Sequence, residues 1–129
     1  MKKITKYLIA LTIIITSLTI GNTLSTHAYS GTLVDSKTSS GTTTYLNGVK
    51  SGDAKICLKD QFGGIRVNVY DNDGDSSYGP LILSSVFIGN NSCITFDATP
   101  YIDGADNDAE FIVVTTRSQL SSYTLELWD

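Results

Sequence analysis

Three observations predict an all-β fold. Apolar side chains recur with a period of two wherever a period is clear, as in Ile65, Val67 and Val69 and in Tyr123, Leu125 and Leu127. The apolar runs are short and separated by Gly, Asn, Asp and Ser clusters about 8–12 residues apart. No segment after residue 28 holds a sustained helical period. Together they predict an antiparallel β-sandwich, jelly-roll-like, with about eight strands and one disulfide.

The elements follow in chain order. Strands are expected near Gly31–Lys37, Thr42–Leu46 and Ala54–Lys59. Ser36–Thr44, "SKTSSGTTT", reads as a loop or an edge strand. Residues 65–70 alternate cleanly, with Arg66, Asn68 and Tyr70 on the second face. Leu81–Ile88 is one bent strand or two, the bend falling at Ser84-Ser85. Ser92–Phe96 follows, then residues 111–116, "FIVVTT", apolar on both faces over Phe111–Val114 and therefore central in its sheet. Residues 123–128 close the chain, with Trp128 out of phase with Leu125 and Leu127.

The first 28 residues carry a targeting pattern. Lys2, Lys3 and Lys6 precede an apolar run from Tyr7 to Ile20, and polar residues and then the small-x-small site Thr26-His27-Ala28 follow it. The run is about 14 residues, short of the roughly 20 that cross a bilayer. Residues 1–28 are thus read as a secretory signal peptide cleaved after Ala28, and residues 29–129 as one secreted domain with no membrane insertion of its own. Beyond the leader, six basic residues face thirteen acidic ones, a net charge of about −7. Nucleic acid and anionic surfaces need Lys and Arg, so neither is an expected partner. Oligomeric state is not legible.

Cys57 and Cys93 are the two cysteines, and an extracellular setting pairs them. Ala54, Ile56 and Leu58 form the apolar set of one strand, and Ile94 and Phe96 that of another. Both cysteines fall on the opposite phase, so the bridge is expected on an outer sheet face between neighbouring strands.

Catalytic chemistry has little to work with. His27 is the sole histidine and lies in the leader, which leaves the domain without Ser-His-Asp, Cys-His or His-metal arrangements. No catalytic residue is assigned. Glu126 reads as a solvated face residue.

The acidic loops carry the more specific signal. Asp71, Asp73 and Asp75 begin like an EF-hand loop, but Ser76 stands where that motif needs Gly and Ile82 where it needs Glu. A second run, "DGADNDAE", holds Asp103, Asp106, Asp108 and Glu110. The first run follows residues 65–70 and the second precedes residues 111–116. If those strands are antiparallel neighbours, both loops meet at one end of the sandwich, and Ca²⁺ would relieve the repulsion between them. Asp, Asn and Gly are also ordinary turn residues, so a solvated acidic turn is the alternative. Tyr70, Tyr78 and Tyr101 flank the same loops and suit stacking on a polysaccharide or a protein partner.

Two stretches, "IRVNVYDNDG" and "EFIVVTTRSQLSSYTLELWD", resemble the strand-into-loop and closing strands of the bacterial pre-peptidase C-terminal domain, over residues 52–129. The resemblance implies a secreted, sometimes Ca²⁺-binding β-sandwich used in adhesion or solubility, with no catalytic residues. This chain departs from it by carrying a disulfide and no peptidase ahead of the domain. The functional expectation is a secreted, non-enzymatic binding module for an extracellular polysaccharide or protein. A self-assembling surface or matrix protein is the first alternative, with the Ser/Thr-rich segment adding to a neighbour's sheet edge. A secreted toxin or protease inhibitor is the second.

Overall fold

The computed structural model describes residues 31–74, 77–116 and 121–129. The leader expected at residues 1–28, with its cleavage site, and the candidate ligand Asp75 lie outside the described residues.

Eight strands form two four-stranded antiparallel sheets. They are β1 (Leu33–Ser39), β2 (Thr43–Val49), β3 (Asp53–Lys59), β4 (Ile65–Asp71), β5 (Leu81–Ile88), β6 (Cys93–Asp97), β7 (Ala109–Thr115) and β8 (Tyr123–Trp128). One sheet has the order β1-β8-β3-β6 and the other β2-β7-β4-β5. Successive strands change sheet at every connection but one, the β4–β5 link, which gives the double-sheet topology of a jelly roll. One three-residue 3₁₀ turn, Thr99–Tyr101, interrupts the β6–β7 connection, where no helical turn was expected. Pro100 presets its backbone dihedral.

The period of two explains the layering. Leu46, Val67, Val69, Phe111 and Val113 of one sheet meet Ala54, Ile56, Leu58, Leu125 and Leu127 of the other in a single core. Phe96 and Phe111 bridge the sheets edge to face, with ring centroids 5.1 Å apart. Truncating Phe111 or Leu125 to Ala would cost roughly 2–5 kcal/mol. Tyr123 is fully buried, and its hydroxyl donates to Gly41 O at 2.9 Å.

Several expected elements take a definite form. Residues 81–88 are one strand, bent where Ser85 adopts φ 52° and the register with β4 shifts. Residues 109–115 are central, between β2 and β4. The Ser/Thr cluster forms the end of β1, its turn and the start of β2, each an edge strand paired inside this chain, β1 with β8 and β2 with β7. Cys57 and Cys93 face each other in register on β3 and β6, bridged, with Cα atoms 4.0 Å apart. Both stand off the core-facing phase, and Cys57 is nonetheless fully buried.

Candidate functional site: an acidic cleft at one end of the sandwich

β4 and β7 are antiparallel neighbours, with Asp71 opposite Phe111. The end of β4 therefore lies beside the start of β7, and the two acidic loops meet. The last ladder contact extends one residue into the loops, where Asn72 N donates to Glu110 O at 3.0 Å. The Asn72 side chain repeats the link, Nδ2 donating to Glu110 Oε2 at 3.2 Å.

Local backbone chemistry closes each loop at its base. Gly79 N donates to Asp71 O at 3.0 Å, and Asp71 N to Pro80 O at 3.0 Å. A Cβ on Gly79 would stand 2.8 Å from Asp71 O, so only glycine allows this approach. The second loop is pinched by a bridge between Asp103 and Asp108, and Gly104 and Asn107 take left-handed conformations within it.

Between the loops lies a cleft of about 110 Å³, lined by Asn72, Asp73, Asp103, Asp106, Asp108 and Glu110 with Gly74, Gly104 and Ala105. Asp71 sits behind it. It ends β4 on the inward phase set by Ile65, Val67 and Val69, and is only 7 % exposed. Burial, then the charges of Asp73 and Asp103, push its pKa up to about 6. Asn72 Oδ1 is buried without a hydrogen-bond partner. Among the described residues, no group of three or more Asp, Glu, Cys or His side chains is arranged to hold a metal ion. Most of these carboxylates are instead spread, exposed, around an open cleft.

A second cleft, of about 230 Å³, adjoins the first and shares Asn72 and Glu110 with it. Its other walls are Lys37, Tyr45, Leu46 and Asn47. Lys37 pairs with Asp35 at 3.3 Å, and Asp35 Oδ2 also accepts Asn47 N at 3.2 Å, tying the two edge strands.

Of the candidate aromatic residues, Tyr70 and Tyr78 come together, edge to face at 5.0 Å. Tyr101 does not join them; it is half-buried in the 3₁₀ turn and packs on the core. Sequence reasoning missed Asn72 and Tyr45. Asn72 had a signal in the alternation, which puts it on the outward phase beside Asp71. Tyr45 had one too, being out of phase with Leu46.

The fold and site define a single-disulfide jelly-roll domain with an acidic cleft at one end. No helix among the described residues is long and apolar enough to cross a membrane. The chain belongs to the family described as the YndA coiled coil domain, whose model matches residues 27–127. The matching model is not that of the pre-peptidase C-terminal domain. A coiled coil needs helices with apolar heptads, whereas residues 31–129, as described, are strands, turns and one 3₁₀ turn. No curated protein matches the chain.

Proposed function

We propose that this chain is a secreted, non-enzymatic binding module whose acidic end takes up Ca²⁺ and whose ligand is an extracellular polysaccharide or protein. The observation that carries the reading is the convergence of the two acidic loops on one cleft. Asp73, Asp103, Asp106, Asp108 and Glu110 line that cleft together with Asn72, whose Oδ1 is buried and unpartnered. A hard cation prefers such oxygen donors, and an amide carbonyl is among its usual ligands. Asp73, Asp103 and Asp108, with Asn72 Oδ1, are the groups that would close on it. The ion would relieve the repulsion from Asp73 and Asp103 that adds to burial in raising Asp71. The disulfide and the leader-like first 28 residues support an oxidising, extracellular setting. The self-assembly alternative would use the open side of β1 or β2, edge strands whose other side is paired within the fold.

The test is the thermal midpoint of the oxidised protein in EDTA, in millimolar Ca²⁺ and in millimolar Mg²⁺. Binding to the native state raises stability by mass action. A Ca²⁺-specific rise of several degrees, lost in Asp73→Ala, is expected. Equal midpoints in all three would mean that the cleft is a solvated turn.

A further inference from the structure

We infer that Asn47 is a site of spontaneous covalent modification, at which the Gly48 backbone nitrogen attacks the side-chain amide and converts it to aspartate and isoaspartate. The change places a new carboxylate in the second cleft. The inference goes beyond the binding-module reading and does not depend on it.

The sequence supplies the chemistry. Asn47-Gly48 is the one Asn-Gly pair in the chain. Ring closure needs the nitrogen of the following residue to reach the side-chain carbonyl carbon. A side chain on that residue obstructs the approach, and glycine has none. Gly48 N gives up its proton and bonds to Asn47 Cγ, and Nδ2 takes up a proton and leaves as ammonia. Water then opens the cyclic imide at one of its carbonyls. Opening on one side leaves an ordinary aspartate. Opening on the other routes the main chain through the side-chain carbon, as isoaspartate. The balance is asparagine plus water going to the acid plus ammonia, with no oxidant or other reactant.

The fold leaves this position open to the reaction. β2 is an edge strand of its sheet. Asn47 stands opposite Glu110 and Val49 opposite Ala109, so Gly48 is the extra residue of a bulge. Gly48 has φ 112°, which a residue with a side chain adopts only under strain. The Asn47–Gly48 peptide thus lies where the ladder is interrupted, and distorting it there disturbs fewer backbone bonds than in a central strand. Asn47 is exposed, and it is its backbone N that is held, donating to Asp35 Oδ2 at 3.2 Å. Other asparagines are tied through their side chains. Asn68 Oδ1 accepts Ser85 N at 2.6 Å, Asn90 Oδ1 accepts Gln61 N at 3.3 Å, and Asn72 Nδ2 donates to Glu110 Oε2.

The position of the product gives the step a consequence. Asn47 lines the 230 Å³ cleft with Lys37, Tyr45 and Glu110. A carboxylate there stands directly across the ladder from Glu110, and like charges so opposed are destabilising. It also stands on the residue whose N–H is held by the Asp35 carboxylate. Isoaspartate adds a main-chain carbon between residues 47 and 48, at the bulge itself. Both products loosen the tie between β1 and β2 and make the second cleft more acidic.

The experiment ages the purified, oxidised chain in mildly alkaline buffer with EDTA, below its thermal midpoint, beside the same chain unfolded in urea. Peptide mapping by mass spectrometry reads the replacement of NH₂ by OH, and anion exchange reads the added negative charge. Conversion of Asn47 in the folded chain is expected within about tenfold of its rate in the unfolded chain, since an edge strand opens at low cost. Asn68, Asn72 and Asn90 should stay intact over the same period. Asn47→Gln should abolish the new charge species, and Asn47→Asp should reproduce the charge and lower the midpoint. Asn47 that keeps its amide in the folded chain while the unfolded chain is converted overturns the inference. Conversion of Asn68, Asn72 or Asn90 as fast as Asn47 overturns it too, because the bulge would then select nothing. A converted fraction with the parent's midpoint overturns the loosening of the β1–β2 tie. The EDTA keeps these readouts separate from any Ca²⁺ response.

Discussion

Asn72 and Glu110 are joined twice, backbone to backbone at 3.0 Å and side chain to side chain at 3.2 Å. This double link is where the β4 loop and the β7 loop become one structure. It also sets the wall between the two clefts, since both residues line both.

The side-chain half of that link can be removed alone. Asn72→Ala should cost about 1 kcal/mol of stability, the net worth of a partly buried hydrogen bond. Glu110→Ala should cost a similar amount, and the double variant no more than either. Glu110→Gln keeps an amide oxygen for Asn72 Nδ2 and should be close to neutral. A double-mutant cycle by urea unfolding measures this, and additive losses would mean that the two side chains act separately.

Asp71 gives the molecule a pH dependence with a definite sign. Its folded pKa of about 6 lies above the ordinary carboxylate value, so the folded state holds its proton more tightly than the unfolded chain does. The stabilisation from this group is fully present below about pH 4 and is lost as pH rises through about 6. In EDTA, the midpoint contributed by this site should therefore fall across that window. Asp71→Asn should flatten the change and raise the midpoint at pH 7. An Asp71→Asn curve parallel to the parent would show that Asp71 does not titrate in this range.

The layering was legible because each strand's pattern depends only on its own residues. Ile65–Val69 and Tyr123–Leu127 told which side chains enter the core, Phe111–Val114, apolar on both faces, told only that its strand is central, and the off-phase cysteines told which face the bridge occupies. The meeting of the acidic loops was legible as a condition, because it depended on one pairing, β4 with β7. Strand order between the sheets was not legible, since period two says nothing about which strand is the neighbour. The Tyr45–Ile112–Tyr70 row needed two registers at once, and Tyr101 needed the 3₁₀ turn that places it against the core. Ile112 shows the limit well: it stands between core-facing Phe111 and Val113 and is nonetheless fully buried, with Tyr45 and Tyr70 opposite it on β2 and β4.

Gly79 closes the base of the first acidic loop against Asp71. Gly79→Ala puts a methyl carbon 2.8 Å from Asp71 O, against backbone that is itself hydrogen-bonded. The loop base must open, at an expected cost of about 1–3 kcal/mol. Gly74→Ala is the comparison, because its added carbon meets nothing within 4 Å and carries only the strain of φ 83°. Gly79→Ala should lose any Ca²⁺ response of the midpoint and Gly74→Ala should retain more of it. Equal loss in both would place the effect in loop strain, not in closure at Asp71.

The disulfide should matter most to one strand. β6 is the edge of its sheet, five residues long, and its ladder partner is β3 alone. Cys57 and Cys93 cross-link that pair at its last register position and close a sequence separation of 36. The chain-entropy model assigns a loop of this length up to about 4 kcal/mol, by restricting the unfolded chain. Ile94 and Phe96 still contact the core after reduction, because the bridge lies off the core-facing phase. Reduction, or the Cys57→Ala/Cys93→Ala pair, should therefore lower the midpoint without dissolving the sandwich. Local protection should fall first at β6, where an edge strand has few other contacts to hold it. Amide hydrogen exchange of oxidised and reduced protein measures this directly. Exchange that rises at residues 93–97 while β7 and β8 stay protected is the expected result. A uniform rise across both sheets would mean that the bridge sustains the whole fold and not its edge.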